Sequence, residues 1–174
     1  MDRIEFFLKV LELKEIKRTG WLRKEIPNPE SIADHSFGVA MLALLLPVPK
    51  GLDQEVLIKM AILHDLGECI IGDIVCEGEE ENKKKQKDQA ESQAIQALLG
   101  NKPQLEKIAL DYIHQRTPEA LYLKELDKLD MVLQAFFYEK NRKNPSLQEF
   151  WDSARKHIQN PDVLEIFCEL DRKR

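Results

Sequence analysis

The stretch VLIKMAILHDLGECIIGD, residues 56 to 73, sets an aspartate at the end of an apolar run that contains a single charge, Lys59. Leu57, Met60, Ala61 and His64 recur at the spacing of one helical face, and Asp65 follows Ile58, Ala61 and Ile62 on a neighbouring apolar one. A carboxylate that enters such surroundings needs a cation, an arginine or several amide donors, or its pKa rises until it is neutral. His64 taken singly reads as a core histidine bonded to backbone. Asp65 has no comparably simple reading, so the rest of the chain is searched for its partner.

Working outward, the same helical spacing recurs from end to end and no strand ladder interrupts it. Asp2 is placed to cap a first helix with the apolar stripe Ile4, Phe7, Leu8 and Leu11. A loop with Pro27 and Pro29 follows. Ser31 with Asp34 forms a capping box for a second helix, apolar on nearly every side and expected to run through the middle of the core. Asp53 opens a third helix, expected to carry His64 and Asp65. The segment EGEEENKKK (77 to 85) pairs Glu79, Glu80 and Glu81 with Lys83, Lys84 and Lys85 at i,i+4, which reads as a solvated helix start or as a flap offering lysines to an anion. Gly100 and Pro103 separate this helix from the next. Pro118 opens a long helix to about 141, Ser146 with Glu149 suggests another capping box, and Asn160-Pro161 begins a terminal helix ending in RKR. The expected fold is all-α, a helical bundle forming a single domain over 1–174.

Composition narrows the function classes. Apolar residues make up 43% and charged residues 33%, the balance of a packed globular chain. A net charge of −5 disfavours a grip on a nucleic acid polymer but leaves room for a small phosphorylated ligand. Cys69, Cys76 and Cys168 form no close pair, which points to reduced thiols and away from a thiolate zinc site. VAMLALLLPV (39 to 48) is too short to span a bilayer, and the amino terminus carries no signal-peptide pattern, so no membrane role and a cytoplasmic location are expected.

Buried polar residues that could converge on Asp65 are His35, in the first turn of the second helix, His64 itself, and Asp127 or Asp130 from LYLKELDKLDMVLQAFF (121 to 137). Helical spacing does not choose between the two aspartates. Two imidazoles and two carboxylates would neutralise a divalent cation and leave positions open for water and a phosphate oxygen.

The blocks RTGW (18 to 21), PESIADHS (29 to 36), HDLGECIIGD (64 to 73) and TPEALYLKELDKLDMVLQA (117 to 135) resemble the HD-domain superfamily of metal-dependent phosphohydrolases, and more narrowly its 5′-deoxynucleotidase branch. The resemblance implies His35, His64, Asp65 and Asp127 as ligands of a divalent metal cation: manganese, cobalt, magnesium, iron or zinc. It implies Glu68 as the carboxylate that handles the attacking water, Arg18 as the phosphate-orienting and catalytic arginine, and Asp73 and Trp21 near the sugar or base. One departure concerns Trp21, because Thr19 and Gly20 intervene after Arg18 where relatives place the tryptophan directly.

The implied reaction removes the 5′-phosphate from a deoxyribonucleoside monophosphate. The same ligand set also serves an HD-type phosphodiesterase or pyrophosphohydrolase acting on cyclic nucleotides or ppGpp, or a nucleotide-sensing module without turnover. The resemblance further implies a homodimer, for which LQEFW (147 to 151) and VLEIFCEL (163 to 170) are candidate faces or else core. His114 and His157 lie outside the matching blocks and read as surface or structural residues; Lys124 and Lys128 read as a solvated helix face or as a further phosphate contact.

Overall fold

The computed structural model describes residues 2–75, 81–141 and 146–174. Ten helices occur among them: α1 (Arg3–Glu12), α2 (Thr19–Arg23), α3 (Ile32–Leu45), α4 (Gln54–Leu63), α5 (Glu68–Ile71), α6 (Glu81–Leu99), α7 (Pro103–Ile113), α8 (Pro118–Asn141), α9 (Gln148–His157) and α10 (Pro161–Lys173). The described residues contain no strand, only an isolated antiparallel bridge between Lys17 and Ser31. The all-α expectation holds.

Local chemistry accounts for most helix starts. Asp2 accepts from the Ile4 and Glu5 amides while Glu5 reaches back, and Ser31 with Asp34 closes the same reciprocal box on α3. Asp53 and Asn160 cap α4 and α10 through their side-chain oxygens. The expected box at Ser146 and Glu149 is absent. α9 starts one residue later, and its N-cap is the fully buried Leu147, which makes no side-chain cap bond.

α3, α4 and α8 form the frame. The Gln54 side chain donates to the Leu44 carbonyl at 2.9 Å, and the other ends of α3 and α4 meet where His35 and His64 approach, so the two helices are antiparallel. α8 is antiparallel to α3 as well. The Tyr122 hydroxyl donates to the Pro47 carbonyl at 3.1 Å at one end, and the Glu30 amide donates to the Tyr138 hydroxyl at 2.8 Å at the other. Between them Val39, Ala43, Leu57, Met60, Leu123, Leu126 and Leu129 form the main core. A second apolar cluster joins Leu13, Ile32, Leu66, Ile95 and Leu99 below α5.

Several expectations need correction. The α1 stripe Ile4, Phe7, Leu8 and Leu11 faces solvent, with Ile4 72% exposed. The chain packs through Phe6, Val10 and Leu13 instead. Both rows have helical spacing, so only the neighbouring helices select the buried one. α3 does lie at the centre of the frame, yet Phe37, Leu44 and Leu45 on its outer side are exposed. α4 ends at Leu63, so His64 is its C-cap and Asp65 sits in the turn beyond. The candidate dimer faces are core, because Leu147, Trp151, Val163 and Phe167 are all buried. Cys69 is buried and Cys168 exposed, both as free thiols; Cys76, Glu79 and Glu80 lie outside the described residues. No helix among the described residues is long and apolar enough to cross a membrane.

These placements predict contrasting mutants. Leu126→Ala, at a position with no exposure, should lower unfolding free energy by about 2–5 kcal/mol in urea titration. Leu8→Ala, at a residue 57% exposed, should change it by no more than about 0.5 kcal/mol.

Candidate metal centre

Three helices of the frame bring His35, His64 and Asp127 within 4.8 Å of one another, and Asp65 approaches the two imidazoles from the turn after α4. α3 contributes His35, the end of α4 His64, the turn after it Asp65, and α8 Asp127. The two Nε2 atoms are 3.2 Å apart. Asp127 Oδ1 lies 3.2 Å from His35 Nε2, and Asp65 Oδ2 lies 3.1 Å from His64 Nε2 and 3.7 Å from His35 Nε2.

The remaining ring nitrogens fix the tautomers. His35 Nδ1 is 2.7 Å from Asp130 Oδ2, and His64 Nδ1 is 2.7 Å from the Ala61 carbonyl oxygen. Both partners accept, so each Nδ1 carries a hydrogen and each Nε2 is the nitrogen turned toward the other donors. The His64 bond also caps a terminal carbonyl of its own helix. Two imidazole nitrogens and two carboxylates thus converge, an arrangement that needs positive charge, whether a proton on His35 or a cation.

The local field favours that charge. Burial and the Arg18 charge oppose a proton on His35, but the hydrogen bonds to Asp127 and Asp130 prevail and push its pKa up to about 9. Burial pushes Asp65 and Asp127 toward neutrality; His64, His35 and Arg18 reverse this for Asp65, and Lys124 and His35 for Asp127, leaving both well below the usual carboxylate range. The donor spacings suit a divalent ion, since adjacent donors each ~2.1 Å from an octahedral ion lie ~3 Å apart. Two neutral imidazoles and two carboxylates also balance its charge.

Each donor has its own support. The Lys124 ammonium donates to Asp127 Oδ2 at 2.7 Å and the Tyr112 hydroxyl donates to the same oxygen at 3.2 Å, leaving Oδ1 toward the imidazoles. Arg18 Nη1 stands 3.7 Å from Asp65 Oδ2. Lys124 is therefore no solvated bystander. Its spacing three before Asp127 carried that signal, whereas Tyr112 had none in sequence.

A cleft of about 490 Å³ opens beside the centre, and Arg18, Trp21, Glu68, Asp73, Lys87 and Lys128 are among its walls. Glu68 is 3% exposed and its Oε2 has no hydrogen-bond partner. Burial, with Asp65 and Asp73 beside it, pushes this carboxyl up to about 10 against the opposing charges of Lys87 and Arg18. Burial and the charges of Lys124, Arg18 and Lys87 push Lys128 down to about 8, with Asp127 opposing. Asp73 accepts the Thr19 amide at 2.5 Å, and its carbonyl accepts the Thr19 hydroxyl at 2.8 Å, so Thr19 fastens the Arg18 turn to the cleft wall.

Trp21 is buried against Phe150, with its indole N–H donating to Glu30 Oε1 at 2.7 Å. It is a wall of the cleft whose polar edge is already occupied. From α6, the exposed Lys85 pairs with Glu81 at 2.7 Å as a solvated start should, while Lys84 and Lys87 line the cleft. His157 also lines it, donating from Nδ1 to the Ser153 carbonyl, whereas His114 contacts Ser92 at the surface. A larger cavity of about 930 Å³ between α1 and the α6–α7 turn contains none of these groups.

A family model described as HD domain matches residues 10–167. The chain is 34% identical over 175 residues to the 5'-deoxynucleotidase HDDC2 of Xenopus laevis, covering 98% of this chain and 87% of that protein. It is 35% identical over 179 residues to the protein of the same name from Danio rerio, covering 100% and 89%. Among solved structures, the PH0347 protein from Pyrococcus horikoshii OT3 superposes with a TM-score of 0.77 at 39% identity, covering 98% of this chain and 99% of that one.

If the four donors hold a cation, a divalent ion at a hundred times its dissociation constant should stabilise the fold by about 2.7 kcal/mol. Thermal unfolding with and without manganese should show the shift, and His64→Ala and Asp127→Ala should abolish it.

Proposed function

The chain belongs to the HD domain family, and from that premise we propose that it is a 5′-deoxynucleotidase, a single domain over 1–174 that removes the phosphate from deoxyribonucleoside 5′-monophosphates. The observation that carries this reading is the meeting of two imidazoles and two carboxylates beside a cleft with an unpartnered Glu68 oxygen. The name borne by the Xenopus and Danio relatives supports the choice of substrate.

His35, His64, Asp65 and Asp127 would hold the divalent cation. When bound, the ion polarises a phosphoryl oxygen and lowers the pKa of water. Arg18 offers a planar fork to the phosphate oxygens, and its contact with Asp65 together with the Thr19–Asp73 fastening keeps that fork in place. Glu68 faces the cleft with one oxygen free to accept. In its ionised form Glu68 would take a proton from the attacking water. Oxygen from water joins phosphorus, the bond to the 5′ oxygen breaks, and the alcohol leaves with a proton. Asp73 and Trp21 border the space for the sugar and base.

The substrate is a small molecule, and the free thiols Cys69 and Cys168 accord with a cytoplasmic setting. A homodimer belongs to the same reading. With α9 and α10 committed to the core, Phe37, Leu45 and Phe137 are among the large apolar side chains left for its contact. Light scattering at twice the chain mass would support the dimer, and a monomer mass would exclude it.

Chelated protein reloaded with each metal should release phosphate from dAMP and release none without metal. AMP, cyclic AMP and ppGpp complete the panel: release confined to either of the last two would replace the reading, and dAMP binding without turnover across all metals would indicate a sensor. Glu68→Gln should retain the ion and lose about 10²–10⁴-fold in kcat. Arg18→Ala should lower kcat/KM by about ten- to a hundredfold, through lost charge-assisted hydrogen bonds.

A further inference from the structure

Gly38 lies one turn after His35, within α3, at a place where the backbone has no need of glycine. Its φ is not among the positive values of the chain, and glycine is a poor helix former. Space is the constraint. A Cβ at position 38 would lie 2.1 Å from Asp130 Oδ1 and 2.9 Å from Asp130 Cγ, closer than any side chain tolerates. The missing side chain is a notch through which α8 inserts Asp130.

That inserted carboxylate stands 2.7 Å from His35 Nδ1, and the imidazole it meets is fully buried. Glu30 also brings a carboxylate oxygen within 4.8 Å of His35 and Asp130, while its Oε1 accepts the Trp21 indole N–H. One turn earlier on α8, Asp127 Oδ1 faces the opposite nitrogen of the same ring at 3.2 Å. The two aspartates that helical spacing left unresolved therefore grip one imidazole from both ends.

We propose that Asp130 is the positioning residue for His35 and that Gly38 admits it, the pair holding the Nδ1–H so that Nε2 is the nitrogen offered to an ion at the point shared with His64 and Asp127. An imidazole whose distal N–H is held by a carboxylate is a stiffer and more basic ligand, and loss of such a partner typically weakens a metal ion's hold by about 10–100-fold. The inference rests on the metal-centre reading, and its effect is on ion affinity rather than on the chemical step alone.

The test is calorimetric titration with manganese(II) of the wild type and of Asp130→Ala, Asp130→Asn, Gly38→Ala and the double variant, with thermal unfolding followed in parallel. Asp130→Ala is expected to lose about 10–100-fold in affinity, and Asp130→Asn, which keeps an acceptor but no charge, to fall between it and the wild type. Gly38→Ala should weaken the ion although it touches no ligand. In the double variant the added methyl fills the space the carboxylate vacated, so affinity should match Asp130→Ala alone.

Asp130→Ala within twofold of the wild type would overturn the proposal, as would wild-type affinity in Gly38→Ala or losses that simply add in the double variant. Should Gly38→Ala fail to fold, the two Asp130 variants still decide. A wild type that takes up no manganese would instead remove the metal-centre reading itself, a result separate from any difference among variants.

Discussion

The need for positive charge among buried carboxylates governs the centre of this structure. The His35 and His64 Nε2 atoms lie 3.2 Å apart, with Asp127 3.2 Å from the first and Asp65 3.1 Å from the second. Buried groups of that kind are stable only where positive charge joins them, and the surrounding residues act in the same sense. Asp65 and Asp127 are kept ionised, and His35 is driven to hold a proton well above its ordinary pKa. The fold thus gathers carboxylates and their positive partners at one end of the core, beside the cleft.

The antiparallel set of α3, α4 and α8 supplies that restraint. Its apolar residues pack the three helices together next to the centre, so His35, His64 and Asp127 cannot separate without opening the core. Around this rigid part the cleft is assembled from shorter, more polar pieces: the Arg18 turn, α5, and the segment through Asp73. The Lys17–Ser31 bridge and the two Thr19 bonds to Asp73 fasten these pieces together. The residues that separate Arg18 from Trp21 thereby acquire a physical role, since Thr19 supplies the fastening and Trp21 is turned into the wall.

Much of this could be read from residue order. Aspartate and serine caps marked the starts of α1, α3 and α4 because capping is a local interaction of neighbouring residues. Pro118 and Asn160-Pro161 bounded α8 and α10 for the same reason. The Ser146 cap failed because its position depends on where Leu147 is buried, a matter of packing. The α1 stripe failed likewise: a helix with two apolar rows has no internal way to choose the inner one.

At the site, the sequence by itself determined which residue types were available and that Asp65 needed a partner. It also placed Arg18 and Glu68 among the candidates that now line one cleft. The family resemblance had chosen Asp127 over Asp130 as a ligand, but only the tertiary structure gave Asp130 its place at His35 Nδ1, set Lys124 and Tyr112 on one carboxylate oxygen, and turned each Nδ1 toward an acceptor. The reason is geometric: residues three apart on a helix share a face, and their separate partners are fixed by a second helix whose position is set by long-range packing.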